Sequence, residues 1–352
     1  MNKKEFKGKI NTVLGPILPK NLGATLTHEH LLTSLDCYFQ TPDEASQRLL
    51  ASEKLSFNNI GKMPGKWLHH SESMNLSDIS NAIEEVMDWK LEGGGAVVDA
   101  TSIGIGRDPI GLAKIARATG LNIIMGSGYY LPSSYAVNMD CVTQEDIKNE
   151  IVNDLIAGVD GTGVKSGIIG EIGCEYPLTK NIKKVLYAAV EAQKSTGAPI
   201  LIHPGHSPHA PIEIVEFLLT NGAYSNNIII GHLDARIVDY SILPELGNTG
   251  VFLELDTFGI EDTEFGGSHM ASDIPSDYQR IEMVQFLIDN GYEDQILIAH
   301  DVCDQWRYKR FGGKNYGHIL NSIVPRMRLH GISMQQVKKI IYDNPAHSLT
   351  FK

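Results

Sequence analysis

Eight short apolar, β-rich runs, each trailed by a helical pattern, limit the folds open to this chain more than any other feature. They are GATLTH (23–28), GAVVDA (95–100), NIIMGS (122–127), SGIIGE (166–171), PILIHP (199–204), NIIIGH (227–232), VFLELD (251–256) and ILIAHD (296–301). Continuous apolar character suggests strands buried on both faces, as in a parallel sheet. The segments between them carry helix punctuation. Asp108 stands as an N-cap with Pro109 at the first helical position and Gly120 as a stop; Thr143 with Asp146, and Ser333 with Gln336, form capping-box pairs. Eight strand–helix units in 352 residues predict an α/β fold, a (β/α)8 TIM barrel, as one domain over residues 1–352. The long, turn-rich stretch between the first and second strands, about 35–78, reads as an insertion near the barrel mouth. An open doubly wound sheet is the rival, but no G-x-G-x-x-G opens a helix directly after a strand.

A net charge of −12 argues against broad nucleic-acid binding, which needs a basic face. The start, MNKKEFKGKI, has no apolar region behind its lysines, and no run of about 18 apolar residues follows anywhere, so neither a secretory signal nor a membrane span is expected. Cys37, Cys141, Cys174 and Cys303 are scattered without a C-x-x-C pair, which suits free thiols in the cytoplasm. The expected partner is a small-molecule substrate; a homo-oligomer is compatible with the sequence, which does not specify one.

In such barrels chemistry sits at the C-terminal ends of the strands. There the first run supplies His28 and His30, the fourth Glu171, the fifth His203, the sixth His232 and the eighth Asp301. Positions two apart in a strand share a face, so His28 and His30 point one way and Glu29 the other. One histidine after an apolar run is more often a hydrogen-bonded core residue. Six polar residues at five matching strand ends, facing one axis, predict a metal centre. Imidazole nitrogen and carboxylate oxygen are ligands shared by zinc, manganese and iron. Six ligands exceed the needs of one tetrahedral ion and fit two divalent ions, zinc first, with manganese, cobalt or iron left open.

The pair in THEH, the segment GIIGEIG, HPG, GHLD, the final HD and NPA at 344–346 together resemble the phosphotriesterase family of the amidohydrolase superfamily, over about residues 9–349. The resemblance implies that His28, His30 and Asp301 hold a buried ion, that His203 and His232 hold a more exposed one, and that Glu171 bridges them. A carboxylated lysine often bridges in this family; Gly170 and Glu171 stand here where it would be sought. That departure resembles the glutamate-bridged, phosphotriesterase-related branch, associated with lactone, ester or amide substrates.

The expected function is therefore dinuclear metal-dependent hydrolysis at a carboxylic centre, with Asp301 taking and returning a proton. A phosphotriesterase, or a binding protein on the same fold, is the alternative. The single-ion deaminase pattern fails, because the third residue after His203 is His206 rather than glutamate. Tyr129 and Tyr130 follow the third strand and are placed to set one phenol over the metals. After Asp301, Arg307, Lys309, Arg310 and Lys314 crowd into eight residues with no acidic neighbour among them. That loop overhangs the mouth, so Arg307 or Arg310 is expected to grip the acid group of an anionic substrate. Asp256, at the end of the seventh run, is expected to support the ligands or face the substrate.

Overall fold

Every one of the eight apolar runs forms a strand in the computed structural model, which describes residues 6–62, 67–237, 239–261 and 274–352. An antiparallel hairpin, β1 (Ile10–Thr12) and β2 (Gly15–Ile17), comes first. The parallel strands follow: β3 (Ala24–Glu29), β4 (Gly94–Asp99), β5 (Asn122–Met125), β6 (Ile169–Gly173), β7 (Ile200–His203), β8 (Ile228–Ile230), β9 (Phe252–Leu255) and β10 (Ile296–Ile298). They pair in chain order as β3–β4–β5 and β6–β7–β8–β9–β10. The first seam between these arcs is bridged by Gly167 N to Met125 O at 2.9 Å and by the Ser127–Gly170 pair. The second is bridged by Asp301 N to His28 O at 3.1 Å. The result is a TIM barrel. The hairpin was not anticipated from the sequence; its Ile10 packs with the barrel interior.

Alternation along the strands sorts two apolar layers. Val98, Ile124, Leu201, Ile229 and Leu297 form the barrel interior with Ile10 and Leu349. Val97, Ile123, Ile202, Ile230 and Ile298 belong to the outer layer, against the helices. The helix Lys180–Thr196 supplies Ile182, Val185, Leu186, Ala189 and Val190 to that layer, at the three- and four-residue spacing of one helical face. The caps form as the sequence implies. Asp108 accepts from Gly111 N, Gly120 ends its helix at φ 68°, and both capping boxes close. Each such cap contributes about 1 kcal/mol.

Between β3 and β4, Leu35 N donates to Met74 O and Gln40 N to Leu68 O. Leu35, Leu68 and Met74 pack on Tyr130 and Leu131, beside the site. Residues 63–66 of this segment lie outside the described residues. Among the described residues no helix is long and apolar enough to cross a membrane.

Candidate metal centre

β3 shifts register against β4 between Leu26 and Glu29. Leu26 packs in the outer layer, so strict alternation would send His28 there too. The irregularity instead lets both His28 and His30 reach the site, a use to which strand bulges near active sites are often put. Glu29 turns outward. It accepts from His300 N and Val302 N, both at 2.9 Å, and pairs with His300 Nδ1 at 2.7 Å, tying β3 to the end of β10.

Glu171 stands at the centre. Its Oε2 lies 3.2 Å from His28 Nε2, 3.2 Å from His203 Nδ1 and 3.6 Å from His232 Nε2; its Oε1 lies 3.2 Å from His30 Nε2. The preceding residue has to be glycine. Gly170 has φ +117°, and a Cβ there would meet the Leu201 carbonyl oxygen at 2.1 Å. A side chain at 170 would displace the β6–β7 backbone, whereas 171 projects its carboxylate freely.

Asp301 Oδ1 lies 3.3 Å from His30 Nε2, and Oδ2 lies 4.0 Å from His232 Nδ1. Asp301 and His232 both adopt left-handed backbone, at φ 52° and 56°. Non-glycine residues there cost about 1–3 kcal/mol each and persist only where surrounding contacts enforce them. For His232, Asp256 does so: its Oδ2 accepts from His232 N at 2.9 Å and its Oδ1 faces His232 Nδ1 at 2.8 Å. The same carboxylate lies 3.0 Å from His28 Nδ1. Asp256 therefore orients one imidazole from each side of the site, the first of the two roles the sequence left open for it.

All six predicted ligands are buried and meet in one place. Ligand atoms of His28, His30 and Asp301 lie within 4.8 Å of one another, as do those of His28, Glu171 and His232. His203 is set slightly apart, its Nδ1 2.7 Å from His232 Nε2. Two observations fit a divalent cation. His28 Nε2, although beside Glu171, has no hydrogen bond in this fully buried position. In addition, two imidazole nitrogens face each other at 2.7 Å, a pair that can share only one proton between them.

The field of the carboxylates is strong. Burial alone would depress His30, but its hydrogen bonds to Asp301 and Glu171 reverse this and raise it to about 10. His232 is likewise raised, against burial, to about 9 by Asp256. His203 is lowered to about 4 by burial and by the neighbouring His232. Burial would raise Glu171, yet the imidazoles around it, His28 foremost, hold it well below the usual carboxylate range. The centre thus attracts positive charge.

A cavity opens over these groups. His30, Glu171, His203, His232 and Asp301 form its floor, and Leu35, Tyr38, Tyr130 and Arg236 its walls. Tyr130 OH lies 3.3 Å from His203 Nδ1 and 2.8 Å from Tyr38 OH. Tyr129 does not reach the cavity: its hydroxyl donates to Glu150 and its ring packs edge-on to Tyr135. Of the two tyrosines expected near substrate, only Tyr130 faces it.

The basic loop after β10 also departs from expectation. Arg307 is buried with its guanidinium committed to backbone: Nη1 donates to Asp301 O at 2.5 Å, and Nη2 to His300 O at 2.7 Å and Phe258 O at 3.2 Å. It braces the turn that carries Asp301 and has no fork left for a substrate. Arg310 is 41% exposed on the outer side, where it bonds Asn81 and pairs with Glu84. The arginine that does line the cavity is Arg236, which sequence reasoning passed over. It follows His232 by four residues as a lone arginine that no local pattern marks.

A family model for the Phosphotriesterase family matches residues 8–349. The chain belongs to this family. Among its relatives is the N-acetyltaurine hydrolase of Xenopus tropicalis, 43% identical over 348 residues that cover 99% of each chain. Among solved structures, a resiniferatoxin-binding protein from Rhodobacter sphaeroides superposes with a TM-score of 0.93 at 32% identity, covering 97% of this chain and 95% of that one. The lactonase Lmo2620 from Listeria monocytogenes superposes with a TM-score of 0.79 at 25% identity, covering 98% and 99%. Phosphotriesterase-family proteins are metal-dependent, and the buried histidine–carboxylate groups of this chain are of the kind that bind metal.

Proposed function

We propose that this phosphotriesterase-family chain is a metal-dependent amide hydrolase of small N-acyl acids, with N-acetyltaurine the first substrate to test. The observation that carries the reading is the convergence of His28, His30, Glu171, His203, His232 and Asp301 beneath one cavity. In this reading His28, His30 and Asp301 would hold one divalent ion and His203 and His232 a second, with Glu171 available to both; zinc is the preferred metal. The 43% identity to an N-acetyltaurine hydrolase over nearly the whole chain supports an amide as the scissile group.

Bound there, such ions lower the pKa of water and polarise a carbonyl oxygen. The chain's own groups do the rest. Asp301 accepts the proton of the attacking water as the new C–O bond forms, then delivers it to the departing nitrogen as the C–N bond breaks, leaving a carboxylic acid and an amine. Arg307 holds the Asp301 carbonyl and so the direction of that carboxylate. Asp256 fixes His28 and His232. Tyr130 stands over His203 within reach of a bound acyl group. Its phenol is held protonated, because burial and the neighbouring Tyr38 raise its pKa well above the usual value.

The test is a panel of N-acetyltaurine, other N-acyl acids, lactones, simple esters and a phosphotriester, run with protein purified without chelator. Elemental analysis should find close to two metals per chain, and the N-acyl acids should give the highest kcat/KM, near the roughly 10⁴–10⁸ M⁻¹s⁻¹ typical of real substrates. A highest value on a lactone would favour the second reading, to which the Listeria lactonase fold lends support. Full activity in metal-free protein would end both.

A further inference from the structure

Three arginines of this chain are buried with a defined environment, and two are explained by the fold. Arg280 pairs with Asp234 at 2.7 Å and Asp277 at 3.1 Å, and Arg307 caps backbone carbonyls. Arg236 differs. It is 9% exposed, lies at the end of the helix Leu233–Arg236 and lines the cavity beside Tyr38 and Tyr130. Among the described residues its one hydrogen bond runs from Nε to the Pro204 carbonyl, at 3.3 Å. Both Nη nitrogens, the half of the fork that grips an anion side-on, are without a hydrogen bond or ion pair among the described residues. Burying a guanidinium costs free energy that a carboxylate partner usually offsets. Here the carboxylates nearest in the fold are engaged elsewhere: Asp256 with His28 and His232, and Asp234 with Arg280 and Thr257.

We propose that Arg236 is the specificity-determining residue that receives the acid group of the substrate. This deepens the hydrolase reading and rests on it. The position suits the task. Arg236 closes the short helix Leu233–Arg236 that His232 caps, and both side chains line the same cavity. A substrate with its acyl carbon over the ligands and its acid group a few bonds beyond the amide nitrogen would extend along that cavity toward Arg236. Sulfonate and carboxylate both present paired oxygens that match the guanidinium fork. Uncharged walls at Leu35, Tyr38 and Tyr130 exclude water from that contact and strengthen it.

The experiment compares wild type, R236M and R236K, all metal-loaded, on three acetamides of similar length: N-acetyltaurine, N-acetyl-β-alanine and the neutral N-propylacetamide. R236M is expected to cut the acid-to-neutral ratio of kcat/KM by roughly 10–100-fold, chiefly through KM, since one charge-assisted pair is lost. R236K keeps the charge without the fork and should recover part of that ratio. The two acids show whether sulfonate or carboxylate is preferred. Equal proportional losses on all three substrates would overturn the proposal, as would a loss confined to kcat. A binding arm separates this failure from failure of the hydrolase reading. Ethanesulfonate is titrated calorimetrically into wild type and R236M without any turnover. At least tenfold weaker binding to R236M supports the assignment even if no acetamide is cleaved. Equal binding, or no measurable binding to wild type, sinks it. If R236M does not fold, R236K carries both arms and is expected to fall short of wild type in each.

Discussion

Two buried charge networks lie side by side behind β8 and β9, and they are built on opposite plans. In one, Arg280 donates to Asp234 and Asp277, Asp277 also pairs with His318 at 2.8 Å, and Asp234 accepts from Thr257 N and Oγ1. Lys314 and Arg326 each approach Asp277 at 3.4 Å. Anions and permanent cations match within the chain. In the other, Glu171, Asp301, Asp256 and Glu254 face only imidazoles: among the described residues, no lysine or arginine side chain pairs with them. Imidazoles titrate and carry ligand lone pairs, whereas a guanidinium does neither. The first network is complete as folded and serves structure. The second has no permanent cation of its own; under the proposed function it would be completed by divalent cations from outside and would serve chemistry. They touch at Asp256–Thr257, where Asp234 accepts from both backbone nitrogens, so the structural network holds the base of the reactive one.

The strongest way to break this contrast is to withdraw metal. Dialysis against a chelator should abolish activity and lower the melting temperature, and added zinc should restore both. A ligand present at a thousandfold over its dissociation constant stabilises the native state by about 4 kcal/mol, so the thermal shift should be plain. Unchanged activity and melting in protein shown to be metal-free would mean that the histidine cluster is as self-sufficient as the Arg280 network.

The complementary perturbation is Arg280→Met. Removing one partner of a buried pair leaves uncompensated charge and costs about 3–5 kcal/mol. Denaturant unfolding should show that loss, while metal per folded chain stays near the wild-type value. A variant of normal stability that instead loses its metal would reverse the roles assigned to the two networks.

A smaller effect should appear in acid. Burial would raise Asp277, but the His318 hydrogen bond, the Gly259 amide and the nearby cations hold its carboxyl below the usual range. A depressed pKa adds stability that is present above the unfolded value and lost as pH falls through the folded one. Wild type should therefore lose stability below about pH 4, the ordinary carboxylate value. Asp277→Asn, less stable at neutral pH, should lose less over that range. Parallel pH curves for the two proteins would show that Asp277 carries no such linkage.

What the sequence disclosed follows from range. Strands buried on both faces leave continuous apolar runs, and all eight were legible. Because barrel topology brings strand ends together, the polar residues at the ends of five of the runs located the cluster without knowledge of any contact. Side-chain direction beyond the ladder was not legible. Tyr129 and Tyr130 are adjacent, yet one bonds Glu150 and the other faces the cavity. The charge run after β10 pointed to Arg307 and Arg310, neither of which lines the cavity, because charge density does not reveal which guanidinium meets backbone carbonyls. Arg236 stands alone in sequence, and it becomes informative only once the walls around it, including Tyr38 from a distant segment, are in place. The β3 register shift likewise depends on the β4 partner, so alternation alone placed His28 by a rule that the strand does not strictly obey.

The smallest expected effect tests the placement of Arg310. Arg310 was expected at the substrate, and its guanidinium instead lies on the outer side with Asn81 and Glu84. Its ion pair with Glu84 spans 3.7 Å and both side chains are exposed, Glu84 at 69%. Exposed pairs of this kind contribute about 0–1 kcal/mol, because water screens the attraction and two long side chains lose freedom in forming it. The Arg310 backbone nitrogen still donates to the buried Glu85, a contact that survives truncation of the side chain. Arg310→Ala should accordingly change stability by no more than about 0.5 kcal/mol, as surface substitutions usually do. It should also leave the acid-to-neutral ratio of kcat/KM where it stands in wild type. A tenfold fall in that ratio would return anion recognition to the loop after β10 and remove it from the helix that follows His232.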